Sequence, residues 1–442
     1  MFMENRYDKY KDSGIAWIGE IPEHWVIGRI KNIIHAYKAG PFGSSLITSN
    51  LNNIGKYLIY TPEHIAACTT NLDSNLYLPD YRINEMGQFE VGIGDVVFPI
   101  VGTLGRAMQI TSDMPNGIIN QRLSKFRLFE NIICSNYFMW IFGKSDFYKI
   151  YIDMNSRGSF ILNLTKLLIG NMPIMLPSLP EQQSIATYLD QKCGEIDELI
   201  TLQEEMITKL QSYKQSVITE AVTKGLDKNV PLKDSGIEWI GEIPDHWNIC
   251  KLKNIFLLST GTTPKDFDKI SEGDNLINWY TPSDILDSCN DLFNSQRKLS
   301  EKVIYDNKIP LFPIGTLLYV GIGASAGKVG YANENGYSNQ QITGLIPLEC
   351  YSRFYFYYLS ALKDKIRDNA FFTTLPIINN TYLGQELIPY PPINEQQSIA
   401  NYLDQKCDEI DELISIKQQK IEKLKDYKKS LIFECVTGKR KV

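Results

Sequence analysis

Two long stretches of the chain place apolar residues at every third or fourth position, with polar residues between them. This period is typical of an amphipathic α-helix, and stretches of this length seldom occur in compact domains. One polar residue interrupts each stripe, Gln203 in the first stretch and Lys417 in the second. The apolar positions are Ile185, Leu189, Cys193, Ile196, Ile200, Ile207, Leu210, Tyr213 and Val217, and then Ile399, Leu403, Cys407, Ile410, Ile414, Ile421, Leu424, Tyr427 and Leu431.

The two stripes are copies of one another, since residues 181–223 and residues 395–437 are identical at 28 of 43 positions. A helix of about 40 residues is a rod roughly 60 Å long, and it cannot bury its apolar stripe alone. We therefore expect the two helices to pair as a coiled coil, an interpretation we favour over two separate core helices. A short linker joins the end of the first helix to the second half of the chain. We expect an antiparallel pair for that reason, although a parallel pair is the alternative.

A second repeated segment opens each half of the chain, because residues 12–33 and residues 234–255 share 16 of 22 positions. The inserts that follow, residues 34–180 and 256–394, contain short β-like runs broken by Gly, Pro and Asn. They share only fragments, among them a Gly-rich segment that leads to an Asn-Gln pair. We expect two inserts with one fold and different surfaces.

These patterns predict an α+β fold class, with two α/β domains joined by two long antiparallel coiled-coil helices that have pseudo-twofold symmetry. The first domain is expected at residues 1–180 and the first helix at residues 181–224. A linker and the second domain are expected at residues 225–394. The second helix and a basic tail complete the chain at residues 395–442.

Composition narrows the class of protein. No run of about 18 apolar residues occurs, so a membrane span is not expected, and the polar N-terminus does not resemble a secretion signal. The eight cysteines form no CxxC pair, which is typical of reduced, buried thiols in a cytoplasmic protein rather than a disulfide or metal site. The formal net charge is −6. Most of the excess acid lies in the two repeated helices, so the inserts are free to carry basic faces.

The glycines of the second insert invite comparison with a phosphate-binding P-loop. Gly321, Gly323, Gly327 and Lys328 come close to that motif, but the first glycine is out of register. Val329 also stands where a Ser or Thr would bind magnesium. We favour a β-loop that presents a cation to a phosphate, and glycines that only allow tight turns remain the competing interpretation.

Catalytic motifs are otherwise missing. Tyr390-Pro391-Pro392 lacks the preceding Asn or Asp of the amino-methyltransferase motif. His24 and His246 occupy the same repeated Pro-x-His-Trp frame, which favours packing over catalysis. The tryptophans of the repeated segment could stack on bases, but identical residues in otherwise different modules favour packing. They are Trp17, Trp25, Trp239 and Trp247.

Together these features resemble the specificity subunits of type I restriction-modification systems over essentially the whole chain. The resemblance is carried by the repeated GxxWIGEIPxHW segment, the EQQSIAxYLD motif after each insert, the long helix behind it and the Asn-Gln pairs. It implies a cytoplasmic, non-catalytic reader of double-stranded DNA, with one target-recognition domain for each half of a bipartite sequence. It also implies helices that dock two methyltransferase subunits, which restriction subunits join. S-adenosylmethionine would bind those methyltransferase subunits, while this chain would hold no cofactor and no metal. A two-headed protein-interaction scaffold is the alternative, which salt-dependent binding of duplex DNA would exclude.

Polar and basic residues in the loops of the inserts are the candidate DNA contacts. Lys and Arg are expected on phosphates, and Asn, Gln, Ser, Thr and Arg on bases. The candidates are Lys38, Ser44, Ser45, Arg106, Asn120, Gln121, Arg157 and Ser159 in the first insert, and Thr262, Thr263, Lys265, Lys328, Asn339 and Gln340 in the second.

Exchange of one insert tests whether the two halves of the chain act separately. Replacing residues 34–180 by the first insert of another such subunit should change only one half of the methylated DNA motif, because the repeated frame stays the same. Mapping methylated adenines in the host genome measures this. A change in both halves would contradict the modular interpretation.

Overall fold

The computed structural model describes residues 6–41, 46, 51–102, 104–155, 164–238, 240–264, 276–286, 290–363, 371–372 and 376–442. The chain forms two compact units. Unit 1 contains Met1–Gln203 together with Gln419–Val442, and unit 2 contains Glu204–Gln418. Each unit therefore combines one repeated opening segment and one insert with parts of both long helices. No helix in the described part of the chain is long and apolar enough to cross a membrane.

Unit 1 is a mixed α/β domain attached to a long helix. Its main sheet is antiparallel, and a smaller sheet contains one parallel pair. Its elements are β1 (Tyr10–Asp12), β2 (Glu20–Pro22), β3 (Val26–Arg29), β4 (Ile34–Ala39), β5 (Tyr57–Tyr60), α1 (Pro62–Ala67), β6 (Tyr77–Leu78), α2 (Ile83–Met86), β7 (Asp95–Pro99), β8 (Met108–Gln109), β9 (Gly117–Ile119), β10 (Leu123–Leu128), α3 (Ser135–Phe142), α4 (Phe147–Asn155), α5 (Lys166–Asn171), β11 (Pro173–Leu176) and α6 (Leu179–Lys224), whose second half belongs to unit 2.

Unit 2 follows along the chain and is built in the same way. Its elements are β12 (Leu232–Asp234), β13 (Glu242–Pro244), β14 (Asn248–Lys251), α7 (Leu252–Ile255), β15 (Phe256–Thr260), β16 (Leu276–Tyr280), β17 (Asn290–Leu292), β18 (Arg297–Ser300), α8 (Glu301–Asn307), β19 (Leu317–Val320), β20 (Val329–Ala332), β21 (Tyr337–Ser338), β22 (Ile342–Pro347), α9 (Ser352–Ala361), β23 (Phe371–Phe372), β24 (Pro376–Ile377), α10 (Asn380–Gln385), β25 (Leu387–Tyr390) and α11 (Ile393–Val436), whose second half belongs to unit 1.

The two inserts share one strand order, which agrees with the prediction that they have one fold. The main sheet runs β4-β10-β7-β8 in unit 1 and β15-β22-β19-β20 in unit 2, where β17 adds a fifth strand at the edge. The smaller sheet runs β6-β5-β9 in unit 1 and β18-β16-β21 in unit 2. Strand β11 pairs with β3 as β25 pairs with β14. The expectation of one fold with different surfaces is confirmed.

One apolar core in each unit joins residues of the main sheet to residues of the long helices. In unit 1, the inner sheet residues Phe98 and Phe126 pack in one cluster with Ile185 and Leu189 of α6. In unit 2, Leu317 of β19 shares a cluster with Ile399 of α11. These side chains are almost completely buried. Apolar burial of this kind is the main stabilising contribution of a fold, so each insert depends on its helix for part of its core.

The long helices pair in an antiparallel manner within each unit. In unit 1, Tyr188 of α6 accepts a hydrogen bond from Arg440, while Asp197 further along α6 pairs with Lys428 at 2.6 Å. In unit 2, Lys214 of α6 pairs with Asp411 of α11 at 2.6 Å. The two ion pairs are repeat copies of each other, because both partners shift by the 214-residue repeat spacing. The predicted antiparallel arrangement is confirmed.

The repeated motifs join each long helix to the segment that opens its own domain. Glu181 accepts hydrogen bonds from Trp25 Nε1 at 3.0 Å and from the Tyr7 hydroxyl at 2.6 Å, and it pairs with His24. In unit 2, Glu395 accepts from Trp247 Nε1 at 2.9 Å. Burial and the hydrogen bond to Glu181 raise the pKa of the Tyr7 phenol far above its usual value, so the phenol keeps its proton.

The next residues of the same motif complete the attachment. Gln182 Oε1 accepts from the Cys134 N–H at 2.8 Å, and Gln396 Oε1 accepts from the Tyr351 N–H at 2.8 Å. About two turns further on, a repeated aspartate binds an aromatic donor and a cation from the insert. In unit 1, Asp190 accepts hydrogen bonds from Trp140 Nε1 at 3.0 Å and from Lys144 Nζ at 3.2 Å. In unit 2, Asp404 accepts hydrogen bonds from the Tyr357 hydroxyl at 2.6 Å and from Arg353 Nε at 2.7 Å.

Two sequence predictions about the frame are settled by these contacts. Trp25 and Trp247 are completely buried, and Trp17 packs against Phe147 with ring centroids 4.5 Å apart, so their packing role is confirmed. Trp239 lies outside the described residues. The helices begin at Leu179 and Ile393, two residues before the expected starts.

Removing the Glu181 carboxylate tests this attachment. The Glu181→Ala variant should lose about 1–3 kcal/mol of unfolding free energy, because the buried Trp25 N–H is left without its acceptor. Denaturant unfolding followed by tryptophan fluorescence measures the change. Glu198→Ala, at an exposed position of the same helix, is the matched control and should change stability by less than about 0.5 kcal/mol. Equal effects of the two variants would contradict the proposed role of Glu181.

Candidate nucleic-acid interface

A tight polar turn connects the two sheets of unit 1. Asn120 follows β9, and its side-chain Oδ1 accepts a hydrogen bond from the Arg122 N–H at 3.0 Å. The Arg122 carbonyl accepts from the Ile100 N–H at 2.9 Å, and the Asn120 N–H donates to the Tyr60 carbonyl at 3.1 Å. Asparagine favours such local turns because its side chain replaces a backbone acceptor. The turn is therefore fixed at both ends, and Gln121 and Arg122 are exposed.

Unit 2 repeats this turn with the same bonds. Asn339 Oδ1 accepts from the Gln341 N–H at 3.1 Å. The Gln341 carbonyl accepts from the Gly321 N–H at 2.8 Å, and the Asn339 N–H donates to the Tyr280 carbonyl at 3.0 Å. We call residues 120–122 and residues 339–341 the polar turns of the two units.

A glycine packs directly against each polar turn. A Cβ atom on Gly40, just after β4, would lie 1.9 Å from the Asn120 carbonyl oxygen. A Cβ on Gly261, just after β15, would lie 2.4 Å from the Asn339 carbonyl oxygen. Real Cβ contacts are never this short, so only glycine allows the close approach of the two backbone segments.

Further polar side chains lie close to these glycines in sequence. In unit 1, Lys38 of β4 donates to Gln88 Oε1, and its ammonium lies 5.1 Å from the centre of the Phe89 ring. In unit 2, the Thr263 hydroxyl donates to Gln340 Oε1 in the polar turn. The Thr263 and Gln340 side chains are exposed. Each unit thus presents donors and acceptors of the kind that read base edges and phosphates.

Two parts of the chain, residues 22–211 and 244–426, match the family model of the type I restriction modification DNA specificity domain, which is most of its length. The chain belongs to the type I restriction-modification DNA specificity family. It is a specificity subunit with two DNA specificity domains, one in each unit.

Individual relatives agree with the family. The chain is 27% identical over 437 residues to a Methanocaldococcus jannaschii protein named as the type I restriction enzyme MjaX specificity subunit, and 96% of each chain is aligned. The MjaIX specificity subunit of the same organism is 32% identical over 190 residues, which are 41% of this chain and 42% of the relative.

Solved structures share the fold. A chain from a study of complex assembly and conformational transition of the type I R-M system gives a TM-score of 0.71 at 17% identity, over 95% of this chain and 99% of that one. The HsdS subunit from Thermoanaerobacter tengcongensis gives a TM-score of 0.54 at 17% identity, over 95% of this chain and 98% of that chain. The arrangement of two domains on long helices is therefore the family fold.

The structure brings only some of the predicted DNA contacts together in each specificity domain. Asn120 and Gln121 lie in one polar turn, and Asn339 and Gln340 lie in the other, where Thr263 contacts Gln340. Both asparagine side chains use Oδ1 to form the turn. The exposed glutamines are thus the groups that the turns present to solvent.

Arg106 faces a different surface of the first specificity domain. It lines a cavity of about 700 Å³ together with Lys144, Asp197 and Lys429, so α3–α4 and the long helices form the other walls. In the second domain, Lys328 is half-buried and follows Gly327, where an added Cβ would meet the Lys363 side chain at 3.0 Å. No hydrogen bond given for the described residues joins Arg106 to a polar turn.

The glycine-rich segment of the second domain is part of a β-hairpin. It connects β19 to β20, which are antiparallel neighbours, and Val329 begins a strand instead of a helix. The expectation of a β-loop in place of a P-loop is confirmed. Within the described ranges, no group of three or more His, Cys, Asp and Glu side chains could hold a metal ion.

Sequence reasoning missed the third residue of each polar turn. Arg122 and Gln341 directly follow the predicted Asn-Gln pairs, and their different chemistry at one position of the repeat was the available signal. It also missed Glu63, which lies 3.6 Å from Arg122 Nη1, and Asn380, which donates to the Thr260 hydroxyl at 2.8 Å. Thr262 is described, and its backbone bonds to Trp279 Nε1 at 3.2 Å and to the Ser338 carbonyl at 2.8 Å. The other candidates lie outside the described residues: Ser44, Ser45, Arg157, Ser159 and Lys265.

Adding one methyl group at Gly40 tests whether the polar turn takes part in DNA reading. In Gly40→Ala, the Cβ would overlap the Asn120 carbonyl, so the turn has to move. We expect at least about tenfold weaker methylation of the target by the assembled complex, which corresponds to about 1.4 kcal/mol of binding free energy.

The matched control is Gly194→Ala in α6, where an added Cβ has nothing within 4 Å. This variant should keep full activity and gain stability, since alanine is the better helix former by about 1 kcal/mol. If Gly40→Ala is folded and its methylation is unchanged, the polar turn is not part of the DNA interface.

Proposed function

We propose that this specificity subunit is a non-catalytic reader in which each specificity domain recognises one half of a bipartite DNA duplex target. The observation that carries the proposal is the repetition of one fold and one polar turn with different exposed side chains. Two copies of a scaffold with different readers are what a two-part target requires. Phosphate contacts from the loops would position each domain, and groups at base edges would select the sequence.

The long helices, in this proposal, dock two methyltransferase subunits. Several apolar side chains on these helices are exposed, and three of them in each unit occupy matching repeat positions, with exposed fractions of 43–56%. The three positions of unit 1 are repeat copies of those of unit 2. We call them the repeated apolar patches: Leu199, Leu202 and Tyr427 in unit 1, and Leu413, Ile416 and Tyr213 in unit 2.

Two equivalent patches suit two copies of one partner. Exposed clusters of large apolar residues mark interaction sites because their burial releases ordered water. A structural relative comes from a study of type I R-M complex assembly. We infer that one methyltransferase subunit covers each patch and that restriction subunits join this core in the cytoplasm. S-adenosylmethionine would bind the methyltransferase subunits, which perform the methyl transfer.

Introducing glutamates into the repeated apolar patches tests this assembly. The double variant Leu413→Glu and Ile416→Glu should bind only one methyltransferase subunit, because buried carboxylates without partners oppose association. Native mass spectrometry of the co-expressed complex counts the subunits, with two expected for the unchanged chain. The same measurement on Leu199→Glu with Leu202→Glu tests the patch of unit 1.

Ile314→Glu, on the second insert and 62% exposed, is the control and should retain two subunits. An unchanged count in both double variants would place the docking surface elsewhere. The intact complex should also bind duplex DNA more weakly as salt rises, since phosphate contacts release counterions. A protein-interaction scaffold would show no such dependence.

A further inference from the structure

The two polar turns hold chemically different side chains in the same place. Arg122 and Gln341 are both the third residue of their turn. Each gives its N–H to the turn asparagine and accepts at its carbonyl from the loop after the central strand. With both backbone groups occupied, the side chain is the part of each residue that remains available to a ligand.

A left-handed glycine lies beside each of these side chains. Gly102 has a φ of +87°, and an added Cβ would lie 2.8 Å from Arg122 Nη2. Gly323 has a φ of +98°, and an added Cβ would lie 3.9 Å from Gln341 Nε2. Gly102 leaves room for the end of the Arg122 side chain, while a Cβ at Gly323 would only touch Gln341. At both positions the positive φ would strain any other residue. Equivalent backbone bonds and equivalent glycines make Arg122 and Gln341 structural counterparts.

The surroundings of the two side chains differ as the residues do. Glu63 Oε1 lies 3.6 Å from Arg122 Nη1, while Ser283 occupies the corresponding place in the second domain. A hydrogen bond from the Thr61 hydroxyl, and also the Arg122 charge, lower the pKa of the Glu63 carboxyl. Both partners of the pair are about half exposed, and exposed ion pairs contribute little to stability. The pair therefore orients Arg122 at the surface and can open when a duplex arrives.

We propose that Arg122 and Gln341 are specificity-determining residues of the two domains, Arg122 selecting a guanine and Gln341 an adenine. The arginine fork donates two hydrogen bonds to O6 and N7 of guanine in the major groove. The glutamine amide accepts from N6 and donates to N7 of adenine. Gln341 Oε1 accepts from Asn339 Nδ2 at 3.0 Å, a local bond that holds the amide beside the turn. This inference rests on the proposed reading of one half-site by each domain.

Exchange of the two side chains tests the inference in the complete complex with its methyltransferase subunits. The Arg122→Gln variant should change one position of one half-site from guanine to adenine, by about tenfold in relative methylation rate. The Gln341→Arg variant should change one position of the other half-site from adenine to guanine. Sequencing of methylated adenines in a randomised DNA library gives both motifs, and the spacer and all other positions should stay the same.

Two further variants separate base reading from simple charge attraction. Arg122→Lys keeps the charge but loses the two-pronged donor, so the guanine preference should fall while methylation of non-optimal sites is retained. Arg29→Gln removes an exposed charge on β3, where Arg29 donates to Asn171, and should leave the motif unchanged. Uniform loss of methylation in Arg122→Gln without a change of motif would show a phosphate contact and overturn the inference.

The failure of the inference is distinguishable from the failure of the proposed function. A bipartite motif for the unchanged complex, together with unaltered motifs in Arg122→Gln and Gln341→Arg, would overturn the inference alone. Absence of any two-part motif in the unchanged complex would overturn the proposed function, and the inference with it.

Discussion

The hydrogen bond between a buried indole and a helix carboxylate holds each specificity domain in place. Trp25 and Trp247 are completely buried, and their N–H groups reach Glu181 and Glu395 at the starts of the two long helices. A buried donor without an acceptor is costly, so the tryptophan commits its domain to one position on the helix. Gln182 and Asp190 in unit 1, and their copies in unit 2, add bonds along the same helix face. The insert can diverge because the helix side of each attaching contact belongs to the repeated segments.

The polar turns show the same division between constant support and variable chemistry. Asparagine and glycine build the turn in both domains, where the backbone leaves no freedom to choose. The side chain of the third residue makes only a local contact, with Glu63 in one domain and with Asn339 in the other, and there the domains differ. In the proposed function, a change of sequence preference at such positions has a low structural cost. A reader on a rigid support also loses little conformational entropy on binding.

The sequence was sufficient to predict the architecture because the repeat presents the pattern of the long helix twice. The stripe of Ile185, Leu189 and Cys193 predicted a long helix, and its copy predicted the partner. The strand order of the inserts could not be predicted, since short β-like runs do not specify which strands pair across long separations. The role of Asp190 was also hidden, because the aromatic donors that it binds differ between the units and share no motif. Arg122 was missed because its partners, Ile100 and Gly102, are distant in sequence.

The division of the chain between the two units has a consequence for its synthesis. Unit 2 is continuous in sequence, but the core of unit 1 includes Leu431, Ile432 and Val436 from the end of the last helix. The Tyr10 hydroxyl and the backbone of Ile18 also bind Gly438 and Lys439. The domain that leaves the ribosome first is therefore the last to complete its core. The apolar face of its part of α6 stays uncovered while more than 200 further residues are made. A nascent chain in that state is exposed to aggregation, so the second domain has to fold while the first still waits for the C-terminus.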